Sequence, residues 1–149
     1  MTKDEKFMKQ ALKQAQRAFE KSEVPIGAIL VKDNKIIARA HNTRNASKDA
    51  TAHAEILAIR KACKKINDWR LENSVLYVTL EPCPMCLGAC LNARIEKVVF
   101  GAYETGSTAP DVFKGVNHTC QMQGGVLQNE CSTMLKNYFK QKRCQNVTE

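Results

Sequence analysis

Between residues 4 and 21 the apolar positions Phe7, Met8, Leu12, Ala15 and Phe19 recur at helical spacing among Lys and Gln. That pattern predicts an amphipathic helix whose lysines form a solvated face. "IGAILV" and "KIIARAH" are apolar runs on either side of "KDN", with Asp33 and Asn34 as turn residues. They predict a β-hairpin from Ile26 to His41. "NTRNASKDAT" is polar and reads as a loop. From Ala52, "AHAEILAIRKACKKI" places Ile56, Ile59, Cys63 and Ile66 on one face of a helix of about four turns. "SVLYVTL" and "KVVFGA" are continuous apolar runs suited to strands buried on both faces. "PMCLGACLNAR" between them predicts a short helix with Pro84 in its first turn. Residues 102 to 118 read as irregular, and "NECSTMLKNYFKQKR" predicts a closing amphipathic helix with a basic end. Strands alternating with helices point to a three-layer α/β domain around a mixed sheet. No repeat, low-complexity stretch or linker divides the chain, so residues 1–149 are expected to form a single domain.

Composition narrows the class without deciding the function. The chain has 149 residues, 44% of them apolar and 26% charged, which is ordinary for a globular protein with a real core. A formal net charge of +8 is a footprint for nucleic acid or another polyanion, though many basic proteins bind neither. Seven cysteines is an odd count. "MTKDEKFMKQALKQAQRAFEK" has no apolar signal-peptide core, and no run approaches the roughly 18 apolar residues of a membrane span. The expectation is a soluble, cytoplasmic protein with no membrane contact, whose cysteines are thiols, some of them on a metal.

Three of those cysteines fall in "TLEPCPMCLGAC", Thr79 to Cys90. With residues 83 to 90 taken as helical, Cys83 and Cys86 lie at i, i+3 on one face, which suits two sulfurs on one zinc at roughly 2.3 Å each. Cys90 is about 10 Å along the axis from Cys83. Two sulfurs on one zinc lie at most roughly 4.6 Å apart. Cys90 therefore reads as a small buried hydrophobe. A helix start favours ionised sulfur. Of the three histidines, His53 alone opens a predicted helix with a carboxylate close by. Glu55 is about 200° around that helix, so its side chain reaches beside the ion instead of onto it. Two Cys and one His leave a fourth position for water, the coordination of a catalytic site. Glu55 is then the candidate base.

Other readings remain open at this level. A CxxC redox pair is one, although such pairs need no distant HxE. A closed structural zinc is another, provided that Cys63, Cys120, Cys131, Cys144, His41 or His118 folds close enough to supply the fourth ligand. A zinc-stabilised, non-catalytic RNA-binding module is a third, and it would have no use for Glu55 as a proton carrier.

His53-Ala54-Glu55 followed by Pro82-Cys83-Pro84-Met85-Cys86 is the pattern of zinc-dependent nucleobase deaminases. At these residues, and through "EVPIGAILV", "HNTRN", "TAHAEILAIR", "LYVTLEPCPMCLGA", "ARIEKVVFGA" and "CSTMLKNYFKQKR", the chain resembles the cytidine-deaminase-like superfamily, and within it the bacterial tRNA-specific adenosine deaminases. The resemblance implies a three-layer α/β/α fold with a central mixed five-stranded sheet and helices on both faces. It implies one Zn2+ per subunit on His53, Cys83 and Cys86, with Glu55 as the proton shuttle. It places the target nucleoside against Asn42, with Ala54 and Glu104 also lining the substrate site. The activity implied is conversion of adenosine to inosine at the wobble position of a tRNA anticodon arm, by a homodimer. The basic tail fits, since Lys136, Lys140, Lys142 and Arg143 interleave with Tyr138 and Phe139, a pairing that suits RNA loops and equally suits a helix packed on its own core. After "FGA" the chain departs from the family. "YETGSTAPDVFKGVNH" puts Glu104 at the family's Asp and lacks its Lys-Gly-Ala pattern. "PCPMCLGA" also resembles guanine deaminases of the same superfamily, so a free purine base or nucleoside is the alternative substrate.

Overall fold

The structure, a computed structural model, describes residues 1–106 and 119–148. Helix α1 (Lys3–Glu20) is followed by β1 (Gly27–Lys32), β2 (Lys35–His41), α2 (Arg44–Ser47) and α3 (Ala54–Ile66). Strand β3 (Ser74–Leu80), α4 (Pro84–Asn92), β4 (Lys97–Ala102), β5 (Gln121–Gln123) and α5 (Gln128–Thr148) complete the order. The sheet runs β2-β1-β3-β4-β5. Strand β1 pairs antiparallel with β2 and β3, and β4 pairs parallel with β3 and β5, so the sheet is mixed.

The sequence pattern explains the layers. Ala28, Leu30, Leu76, Val78, Val98 and Phe100 share a core with α3 and α4, while Ile29, Val31, Tyr77 and Val99 share one with α1 and α5. Neighbouring residues in each strand thus point to opposite faces, and both faces are covered, as the unbroken apolar runs require. Asp33 and Asn34 both have positive φ (52° and 63°), the geometry a two-residue hairpin turn needs. Thr2 and Glu5 close the start of α1 with a reciprocal capping box. The α1 face toward the sheet is Met8, Ala11, Gln14, Ala15 and Ala18.

Several expectations are corrected. The "NTRNASKDAT" loop contains the short helix α2, whose four polar residues carry no periodic signal. Helix α3 begins at Ala54, with His53 as its N-cap. The stripe of α3 fully buried against the sheet is Ala54, Ala58 and Ala62 with Glu55, whereas Ile59, Cys63 and Ile66 are half-buried at its flank. Small side chains let the helix axis sit close to the strands, which leaves the larger residues at the margin. Strand β5 was not foreseen from the residues, because "QMQ" is three residues long and largely exposed. The segment read as irregular, 102 to 118, has Ala102 in β4 and a turn at 105–106; residues 107–118, with His118, lie outside the described residues. Among the described residues no helix is long and apolar enough to cross a membrane.

Candidate active site

Strand β3 runs into α4 through Glu81, Pro82 and Cys83, and the long 42–53 connection runs into α3 through His53. Cys83 and His53 are the N-cap residues of these two helices, with extended backbones (φ −70°, ψ 169° and φ −77°, ψ 152°). Cys83 is therefore outside the helix, a correction to the 83–90 reading, and the cause is local. A residue before proline is driven from the helical region, and Pro84 occupies the first turn as expected. Neither cap side chain bonds its own helix, so both are available for other chemistry. The backbone carbonyls of His53 and Cys83 accept the first helical bonds, from Leu57 and Leu87, which locks both residues to their helices.

The donor atoms of His53, Cys83 and Cys86 all lie within 4.8 Å of one another. His53 Nδ1 is 3.7 Å from Cys83 Sγ and 3.4 Å from Cys86 Sγ. A tetrahedral zinc with ordinary Zn–N and Zn–S bonds would hold such a pair about 3.6 Å apart. The triad is thus spaced for one ion, and one nitrogen with two sulfurs is a donor set zinc favours. The residues fit the metal.

Hydrogen bonds from Cys86 and then His53 pull the Cys83 thiol down to about 4. The proton that Cys86 shares with it, together with burial, holds Cys86 up. The same Cys83 contact raises His53. Glu55 is only 3% exposed, and burial pushes its carboxyl up to about 6. Its Oε1 is a buried acceptor with no hydrogen-bond partner among the described residues. A native carboxylate left in this state marks a functional position more often than a structural one.

Cys90 is fully buried in the core with Ala58, Ala62 and Ile95 and is not part of the metal-spaced group. Among the described residues, none of Cys63, Cys120, Cys131, Cys144 or His41 joins that group either. Among the described residues the triad therefore has no fourth protein ligand of the kind a closed site requires.

The expected substrate residues differ in burial and in partners. Asn42 is buried. Its backbone N–H donates to the Ile26 carbonyl at 3.1 Å, its Nδ2 donates to the Val24 carbonyl at 3.5 Å, and its Oδ1 accepts from the Arg44 N–H at 3.4 Å. Ala54 is fully buried in the first turn of α3. Glu104 is exposed, and its backbone N–H donates to Glu81 Oε1 at 3.0 Å. In the basic tail the two aromatics separate. Tyr138 is buried edge-on against Phe19 and donates to the Ser22 carbonyl, while Phe139 is 46% exposed beside the exposed Lys140 and Arg143. Sequence reasoning missed Glu23 and Glu81, each an acidic residue in front of a conspicuous motif with no periodic signal of its own. It also missed Arg44, whose charge opposes protonation of His53.

The MafB19-like deaminase family matches residues 2–143 of the chain. A tRNA-specific adenosine deaminase of Bacillus subtilis (strain 168) is 49% identical, over 96% of this chain and 92% of that protein. A solved structure from work on A-to-I editing by tRNA:A34 deaminases at the wobble position superposes with a TM-score of 0.83 at 39% identity, covering 87% of this chain and 99% of that one. The structure of a guanine deaminase from Bacillus subtilis superposes with a TM-score of 0.65 at 39% identity, covering 77% of each chain.

Proposed function

The chain belongs to the MafB19-like deaminase family, and from that membership and the geometry of the His53–Cys83–Cys86 centre we propose that it hydrolyses adenosine to inosine in RNA, at the wobble position of a tRNA anticodon. Its mixed sheet with helices on both faces is the cytidine-deaminase-like fold. The observation that carries the reading is a buried Glu55 carboxylate, with its Oε1 unpartnered among the described residues, beside three donors spaced for one zinc. The 49% identity to a tRNA-specific adenosine deaminase supports RNA as the substrate.

In this reading His53, Cys83 and Cys86 hold one Zn2+ per subunit. When bound there, the ion would supply Lewis acidity toward water. Glu55 accepts the proton of the attacking water on its unpartnered Oε1 and delivers protons to the purine ring nitrogen and the departing amine. The balance is adenosine plus water giving inosine plus ammonia, with C6–O formed and C6–N broken. Asn42 orients the nucleoside by its side-chain amide, Ala54 gives the pocket wall a small surface, and Glu104 borders the rim. Burial of Glu55 keeps bulk water from competing for its proton. The exposed Phe139, Lys140 and Arg143 provide a surface for anticodon-arm RNA. The unit is a single deaminase domain, working as a homodimer in the cytoplasm.

A second reading, deamination of free guanine or another purine, is favoured by the superposition on a guanine deaminase. Ammonia release from guanine, adenosine and cytidine, measured beside inosine mapping in treated tRNA, separates the two. Inosine at the wobble position with no turnover of free guanine supports the RNA reading. Guanine turnover without inosine overturns it.

A further inference from the structure

Glu23 sits in the turn between α1 and β1 and is 1% exposed. Its Oε1 accepts the N–H of Asn45 at 3.0 Å and its Oε2 accepts that of Ala46 at 2.7 Å. Those are first-turn amides of α2, which a four-residue helix cannot satisfy internally. A buried carboxylate costs stability unless such bonds are made, and charge-assisted ones are about twice as strong as neutral ones. The carboxylate therefore caps α2 from outside the helix.

The turn that holds Glu23 is itself fixed. Its N–H donates to the Ala18 carbonyl at the end of α1, and the Ser22 carbonyl accepts the Tyr138 hydroxyl of α5. What α2 holds in turn is the pocket rim. Arg44, the first residue of α2, donates its N–H to Asn42 Oδ1. Thr43 N–H donates to the Ala52 carbonyl, one residue before the metal-spaced His53. Asn42 is tied by its own N–H and Nδ2 to Ile26 and Val24, three residues and one residue after Glu23. The 42–53 connection is thus stapled at one end to the Glu23 turn and at the other to the start of α3.

We propose that Glu23 is a positioning residue for the substrate pocket: through Asn45 and Ala46 it sets α2, and through the Arg44 N–H of α2 it sets the side-chain amide of Asn42. The carboxylate touches no substrate. It acts by keeping Asn42 in one orientation before the base arrives, so that binding does not have to order the rim. This inference rests on the reading of Asn42 as the nucleoside contact.

The test uses the zinc-loaded full chain and an anticodon stem-loop RNA. Glu23→Gln places an NH2 donor against one of the two N–H groups, and Glu23→Asp keeps both acceptor oxygens on a shorter arm. In Glu23→Gln, hydrogen exchange at Asn45 and Ala46 should accelerate about tenfold or more, as loss of a charged hydrogen bond implies. kcat/KM should fall about tenfold, carried by KM, with zinc content retained and with partial recovery in Glu23→Asp. Asn42→Ala added to Glu23→Gln should cost little beyond either change alone, because both act through one amide. Unchanged exchange at Asn45 and Ala46, or losses that add fully in the double variant, would overturn the proposal. Where Glu23→Gln loses zinc or cooperative melting, Glu23→Asp is put through the same cycle with the same outcomes. Exchange needs no substrate, so its failure counts against Glu23, whereas a wild-type protein that makes no inosine counts against the proposed function.

Discussion

Gly27 opens β1 directly beneath α1, and replacing it with alanine tests how the layer above the sheet is held. A Cβ built there would overlap the Ala11 carbonyl oxygen and the Ala15 nitrogen and lie 2.8 Å from Gln14 Cβ. Two of these three atoms are α1 backbone, so no rotamer change relieves the clash. The helix must retreat by on the order of 1 Å to restore ordinary contact. Overpacking of a tight core costs typically about 1–3 kcal/mol, and a clash with backbone belongs at the upper end. For a chain of this size about 3 kcal/mol corresponds to a fall in Tm of about 6–12 °C. Gly106→Ala is the control. Gly106 has φ +78° with nothing among the described residues within 4 Å of the added Cβ, so its expected cost is backbone strain of about 1–2 kcal/mol. Thermal melts of the zinc-loaded proteins by circular dichroism should rank Gly27→Ala below Gly106→Ala. A Gly27→Ala protein melting within about 2 °C of wild type, less than about 1 kcal/mol, would refute the close packing of α1 on β1.

The cysteines of the 79–90 segment should separate by zinc content: Cys83→Ser and Cys86→Ser lose the metal by mass-spectrometric stoichiometry, while Cys90→Ala keeps it and loses only about 1 kcal/mol from the core. Loss of zinc in Cys90→Ala would contradict its assignment to packing. Tyr77 should govern part of the alkaline limb of stability. Burial, and then the Asp4 carboxylate that accepts its hydroxyl at 2.7 Å, raise its phenol above the usual 10.0. Because the folded value lies above the unfolded one, this contribution is complete below about pH 10 and is lost as pH rises further. Tyr77→Phe should cost about 1 kcal/mol at neutral pH and flatten the decline above pH 10 in urea titrations; parallel declines for the two proteins would contradict it.

What could be seen in the sequence followed from periodicity and from ligand spacing. The period-2 split that sends Leu30 and Ile29 to opposite cores, and the turn at Asp33-Asn34, are local properties that survive folding unchanged. That His53, Cys83 and Cys86 come within 4.8 Å of one another could be expected because metal chemistry restricts residue types at fixed spacing. What was not readable depends on contacts distant in sequence. Helix α2 is capped by a carboxylate 22 residues before its Asn45, and β5 is strand because β4 lies beside it. Tyr138 and Phe139 are adjacent in a basic tail, yet one is buried and the other exposed, because only Tyr138 reaches Phe19 and the Ser22 carbonyl. The alanine stripe of α3 was hidden for a related reason. Residue hydrophobicity points to the isoleucines, whereas close approach to a sheet selects the smallest side chains.

The central claim is that Glu55, buried beside the metal-spaced His53–Cys83–Cys86 triad with its Oε1 unpartnered among the described residues, carries the protons of a hydrolytic deamination in tRNA. Single-turnover inosine formation at the wobble position, measured with zinc-loaded wild type and Glu55→Gln at equal metal content, tests it most directly. General acid–base catalysis is worth about 10²–10⁴ in rate. The account predicts inosine from the wild type and a loss of at least about a hundredfold in Glu55→Gln, with zinc still bound. Equal rates for the two proteins would contradict it.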